Sequence, residues 1–130
     1  MKLLLLSLFI SSFSYAEGFN SDTLVLTPQG LITINRLKIG DRILSCTLNT
    51  CTEKKILDIQ SHPSSPVLSI QIENELIITD ASQTFFSKEK NEWISASDIF
   101  IEAGEERDLY SLSIEDEAPY HITSSYIMVP

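Results

Sequence analysis

Residues 18–41 read GFNSDTLVLTPQGLITINRLKIGD, two short apolar runs hinged on a Pro-Gln-Gly turn and closed by Gly-Asp. Thr23 to Thr27 and Leu31 to Ile34 are β in character, because apolar and β-branched residues bounded by turn formers suit strands. Asn35 to Lys38 reads as one helical turn, and Gly40 with Asp41, like Gly104 with Glu105 later, reads as a turn former. Working outward, Arg42 to Cys46 and Glu53 to Ile59 form a hairpin, and Ser61 to Pro66 is a Pro- and Ser-rich loop. Leu68, Ile70 and Ile72 alternate with Ser69 and Gln71, the period of a half-buried strand that turns at Glu73-Asn74 into Glu75 to Thr79. Gln83 to Phe86 and Trp93 to Ser95 flank a polar turn. Tyr110, Leu112 and Ile114 alternate with serines, and Tyr126 to Val129 closes the chain. No run suits a substantial helix, so the expectation is a compact all-β domain.

Upstream, Lys2, the apolar run Leu3 to Phe13 and the small residues of Ser14-Tyr15-Ala16 have the layout of a signal peptide. A membrane span needs about 20 apolar residues, so the run is too short for one. A retained interfacial anchor is the alternative. The expected division is a signal peptide over 1–16 and one domain over 17–130, exported to a periplasm or outside the cell. With 43% hydrophobic residues in 130, the chain supports a single core.

The chain carries 18 acidic against 9 basic residues, which makes phosphate backbones and anionic membrane surfaces poor partners. Glu102 to Glu106 and Glu115-Asp116-Glu117 read as solvated turns; a calcium site there lacks the EF-hand pattern. Cys46 and Cys51 bracket Thr-Leu-Asn-Thr, so in an oxidising compartment a disulfide across the hairpin is reasonable, with two free thiols as the alternative. So short a closed loop gains only about 2 kcal/mol. No ligand spacing links His62 or His121 to the cysteines, and neither a metal nor a cofactor is expected.

The opening Gly18-Phe19 followed by Asp22, Thr23 and Val25 resembles the first motif of the Hint (Hedgehog/intein) domain family, whose active members begin CFxxDTxV. Leu37 to Ser45, LKIGDRILS, is similar to the family's LxxGDxVLS. Glu92 to Glu105 is similar to its WxxAxDLxxGD stretch, and Leu109 to Val129 to its closing pattern. The resemblance implies a two-lobed, pseudo-twofold β-barrel of short strands. A weak internal echo agrees, since LVLTPQGLITINRLKIGD and IITDASQTFFSKEKNEWISASDIFIEAGE run through strand, turn, strand and polar bend in the same order.

The resemblance also implies a self-processing chemistry, and here the chain departs from it. The family's cysteine attacks the preceding carbonyl, a Thr-x-x-His histidine protonates the departing amide, and a terminal His-Asn pair releases the downstream segment. Gly18 stands at the nucleophile. Gln83 stands at the histidine when Thr79 to Phe86 is aligned on its aromatic strand, and Pro130 stands at the penultimate histidine. No asparagine follows Asn91. Cleavage after Ala16 would leave only Glu17 ahead of Gly18, with nothing after Pro130 for such chemistry to release.

The remaining candidates each have a plain reading. His62, before Pro63, reads as a loop residue and His121 as a tip or strand-edge residue; Trp93, Phe85 and Phe86 read as core rather than a ligand groove. The expected function is therefore a catalytically inactive, exported binding, structural or regulatory module whose protein partner the residues do not specify. The alternative is residual autoprocessing through Ser21, Thr23 or Asp80 with His121. A third reading is an unrelated small β-barrel with chance motif similarity.

Overall fold

The computed structural model describes residues 18–64 and 67–130. The signal-peptide reading of 1–16 and the end of the 61–66 loop lie outside these residues. The fold is all-β, with twelve strands and three single 3-10 turns among the described residues. In chain order the strands are β1 (Leu24–Thr27), β2 (Gly30–Thr33), β3 (Arg42–Thr47), β4 (Thr50–Ser64), β5 (Val67–Ile72) and β6 (Glu75–Thr79). Then come β7 (Thr84–Ser87), β8 (Glu92–Ser95), β9 (Phe100–Gly104), β10 (Arg107–Ile114), β11 (Tyr120–Ile122) and β12 (Ile127–Val129).

These strands form four sheets, ordered β12-β11-β1-β2, β10-β4-β3, β6-β5-β9 and β7-β8. Among the described residues the ladders do not close into the expected barrel. The outer strands β2, β3, β7, β8, β9 and β12 each pair on one side only. Phe19 bridges two of the sheets, pairing with Thr79 of β6 and with Tyr110 of β10.

The core follows from the alternation read in the sequence. Val25, Ile43, Ile70, Ile122, Ile127 and Val129 point inward from their strands and bury fully or nearly so, together with Phe19, Ile34, Phe85 and Ala96. Phe19 sits edge-on to Phe85 at 5.9 Å and to Tyr120 at 6.5 Å. The predicted aromatic core splits: Phe85 is buried, Phe86 half-buried, and Trp93 lies 47% exposed, packed edge-on against Phe86 at 5.4 Å.

Part of the internal echo recurs in the backbone hydrogen bonds. Thr23 N–H donates to Asn20 C=O, Ile34 N–H to Thr23 C=O, Asn35 N–H to Ser21 C=O and Leu37 N–H to Ile34 C=O. The same four bonds recur as Gln83 to Asp80, Ala96 to Gln83, Ser97 to Ala81 and Ile99 to Ala96. Hairpin β1–β2 with its 3-10 turn at Ile34–Arg36 thus matches hairpin β7–β8 with its turn at Ala96–Asp98. By this match Phe19 corresponds to Thr79, and these two residues are themselves paired.

Three further expectations of the sequence are corrected. Residues 61–64 are not loop: β4 runs on to Ser64, pairing with β3 through Thr50–Lys55 and with β10 through Ile56–Ser64. A bulge opposite Ser113 and Ile114 skips Leu57, which is left exposed. Glu102 is not in a turn but in β9, opposite Ser69. His121 is neither at a tip nor at a strand edge but in β11, an inner strand between β12 and β1, and is buried.

Candidate functional site

Position 18 is closed in by backbone. Phe19 N–H donates to Tyr110 C=O and Tyr110 N–H to Phe19 C=O, both at 2.8 Å, and Asn20 N–H donates to Ile78 C=O at 3.1 Å. The Thr79 hydroxyl donates to the Gly18 carbonyl at 2.5 Å. Gly18 is held at φ +149°, and a Cβ built there would lie 2.8 Å from the Tyr110 oxygen, 3.0 Å from its carbonyl carbon and 3.2 Å from Leu109 Cβ. The space into which a nucleophilic side chain would project is filled by strand β10.

The neighbouring polar residues build turns. Asp80 is buried, and its Oδ1 accepts from both the N–H and the hydroxyl of Ser82, an Asx-type turn. Counting three residues on from Thr79 lands on this exposed Ser82. Gln83, one further, is buried and gives its amide to the Thr84 carbonyl. Ser21 and Thr23 carry the equivalent turn in the first half through their carbonyls. The Ser21 and Thr23 carbonyls accept from Asn35 and Ile34, and the Asp80 carboxylate from Ser82, whereas the His121 ring accepts from Cys46.

His121 belongs to a different place. Its Nε2 accepts the Cys46 N–H at 2.9 Å, which puts the ring proton on Nδ1, facing the Tyr126 carbonyl at 3.4 Å. Burial holds its pKa below the ordinary value near 6.5, and the positive charge of Lys88 acts in the same direction. Protonation would also set a second N–H against that of Cys46. Because the unfolded chain binds this proton more readily, stability falls as pH drops below about 6.5. Urea midpoints taken between about pH 7.5 and 5 should fall, and fall less in His121→Leu.

Cys46 and Cys51 are joined by a disulfide. They are directly paired across β3 and β4, and Thr47 pairs with Thr50 beyond them, so the loop is only Leu48-Asn49. Leu48 stands fully exposed at φ +49°, a region costly for a branched side chain. The hairpin walls a groove of about 660 Å³ shared with Leu26, Phe86, Lys88, His121, Tyr126 and Met128. Sequence reasoning did not bring these residues together, since beyond the hairpin they come from four strands and two turns.

His62 is not a loop histidine. It lies in β4 opposite Leu109, and both ring nitrogens are buried without a hydrogen-bond partner among the described residues. Pro130 follows β12 and is exposed.

By sequence, no protein-family model and no curated protein matches the chain. By structure it superimposes on a bacterial intein-like domain from Clostridium thermocellum with a TM-score of 0.74, covering 87% of this chain and 97% of that one at 20% identity. The chain has the Hint fold. The gp41-1 intein matches with a TM-score of 0.68 at 19% identity, over 87% of this chain and 97% of its own. The TvoVMA intein matches with a TM-score of 0.68 at 16% identity, over 88% and 98%. Within the Hint fold, the repeated four-bond frame around Asn20 and Asp80 is the pseudo-twofold relation that the resemblance implied.

Proposed function

We propose that this chain is a catalytically inactive, exported Hint-fold domain that serves as a binding or regulatory module for a protein partner. The observation that carries this reading is the Tyr110 carbonyl, 2.8 Å from where any side chain at position 18 would begin. An acyl shift needs a nucleophile there, and glycine supplies none. Gln83 holds no proton of useful acidity, and Asp80 is engaged by Ser82. Export rests on the layout of Lys2 through Ala16.

Intact mass of the mature chain, incubated with and without hydroxylamine or a thiol, tests the reading. An unchanged backbone mass is the expected result, in the parent as in Ser21→Ala and His121→Ala. A nucleophile-dependent cut anywhere after Ala16 would overturn it in favour of residual self-processing.

A further inference from the structure

The groove wall contains a covalent bond that can be exchanged without cutting the backbone, the Cys46–Cys51 disulfide. The hairpin it crosses does not depend on it for register, because the ladder already runs from Arg42↔Lys55 to Thr47↔Thr50. The two cysteines are unequally placed. Cys51 is exposed, whereas Cys46 is half-buried, with its backbone N–H fixed on His121. Although the chain has a formal charge of −9, among the described residues no Asp or Glu lines this groove, and the charged residue there is Lys88. Leu26, Phe86, Tyr126 and Met128 supply apolar surface beside the sulfurs, and the exposed Tyr126 is held at φ +54°.

We propose that Cys46–Cys51 is a thiol–disulfide exchange site for a protein dithiol, whose apolar flanking residues seat in this groove. A thiolate of the partner attacks Cys51 Sγ, forming a mixed disulfide, while the Cys46–Cys51 bond breaks and Cys46 leaves as a thiolate. The partner's second thiolate then attacks its own sulfur in the mixed disulfide. The partner's disulfide forms and Cys51 leaves as a thiolate. The partner is oxidised by two electrons, the cysteine pair is reduced by two, and the partner's two thiol protons end on Cys46 and Cys51. The carboxylate-free groove and Lys88 favour both the incoming thiolate and the leaving one, since a nearby cation lowers a thiol's pKa and improves it as a leaving group. The same features argue for a thiol-bearing occupant over a merely apolar one. The site goes beyond the binding role proposed above and is independent of whether the backbone is ever cut.

The experiment uses the folded mature chain with three probes: reduced glutathione and two synthetic dithiol peptides, one with leucines flanking its cysteines and one with serines. Iodoacetamide quenching and peptide mass mapping read which sulfur carries the adduct. The glutathione adduct is expected on Cys51 with Cys46 alkylated. The leucine-flanked peptide should reduce the bond about tenfold faster than the serine-flanked one, the gain being the groove's apolar contact. Lys88→Glu, an exposed substitution, should slow the anionic glutathione about fivefold. Equal rates for the two peptides, an adduct on Cys46, or a bond that yields only once urea unfolds the chain would each overturn the proposal. Backbone mass, read in the same spectra, reports separately on self-cleavage.

Discussion

Gly18→Cys is expected to lower the stability of the chain by about 3 kcal/mol and to produce no thiol-dependent cleavage. Two costs add. At φ +149° a residue with a Cβ is strained by roughly 1–3 kcal/mol whatever surrounds it. The new atom would also meet Tyr110 O at 2.8 Å and Tyr110 C at 3.0 Å, which are backbone and cannot rotate away. Strand β10 cannot retreat either, because Tyr110 is paired to Ser61 of β4 and doubly hydrogen-bonded to Phe19. Gly30→Ala separates the two costs: at φ +109° with nothing within 4 Å of its Cβ, it should lose only the conformational part, about 1–2 kcal/mol. Urea midpoints of parent, Gly18→Ala, Gly18→Cys and Gly30→Ala check this. Equal losses at positions 18 and 30 would show that the Tyr110 backbone is no obstacle. A restored cut in Gly18→Cys would show that only a side chain separates this domain from a self-processing one.

The β character of the chain was legible because burial and pattern share a period. Leu68, Ile70 and Ile72 bury along β5 as their alternation requires, with Ile72 only half-covered near the β5–β6 turn. Length was less legible, since it depends on a partner. β4 extends through the Ser- and Pro-containing residues 61–64 because β10 lies alongside them, and Pro63 is tolerated near the strand end. β11 escaped notice for a similar reason. Three residues after an acidic turn carry no periodicity, and His121 is polar; it is buried because Cys46 donates to its ring from another sheet. At position 18 the missing side chain could be read directly. The carbonyl that takes its place comes from residue 110 and leaves no local trace in the sequence. The Gln83 assignment rested on an aromatic strand, whereas the repeated hydrogen bonds pair Gln83 with Thr23, a relation visible only once both turns are folded. The cysteine pair was legible as a hairpin clamp, but the groove it walls was not, for its lining is assembled across the chain from Leu26 to Met128.

Phe19→Ala is expected to be the most damaging single substitution among these, at about 4 kcal/mol. The residue belongs to no strand, yet its backbone exchanges two hydrogen bonds with Tyr110 and bridges to Thr79, so the sheets of β10 and β6 meet on it. Its ring has no exposed surface and stands edge-on to Phe85 and Tyr120, which belong to two further sheets. Truncation therefore removes a large transfer term and leaves a cavity whose walls are β-ladders that cannot collapse inward. Against a total stability of about 5–15 kcal/mol the loss is large, and thermal unfolding should shift down by about 15 °C. Trp93→Ala is the control for size. That indole is the larger aromatic but is 47% exposed with Phe86 as its ring partner, so its loss should stay near 1 kcal/mol. Should the two substitutions cost the same, position 19 would be an ordinary buried aromatic. If Phe19→Ala alone also broadens the transition or lowers the urea m-value, the sheets have lost their common hinge and unfold out of step.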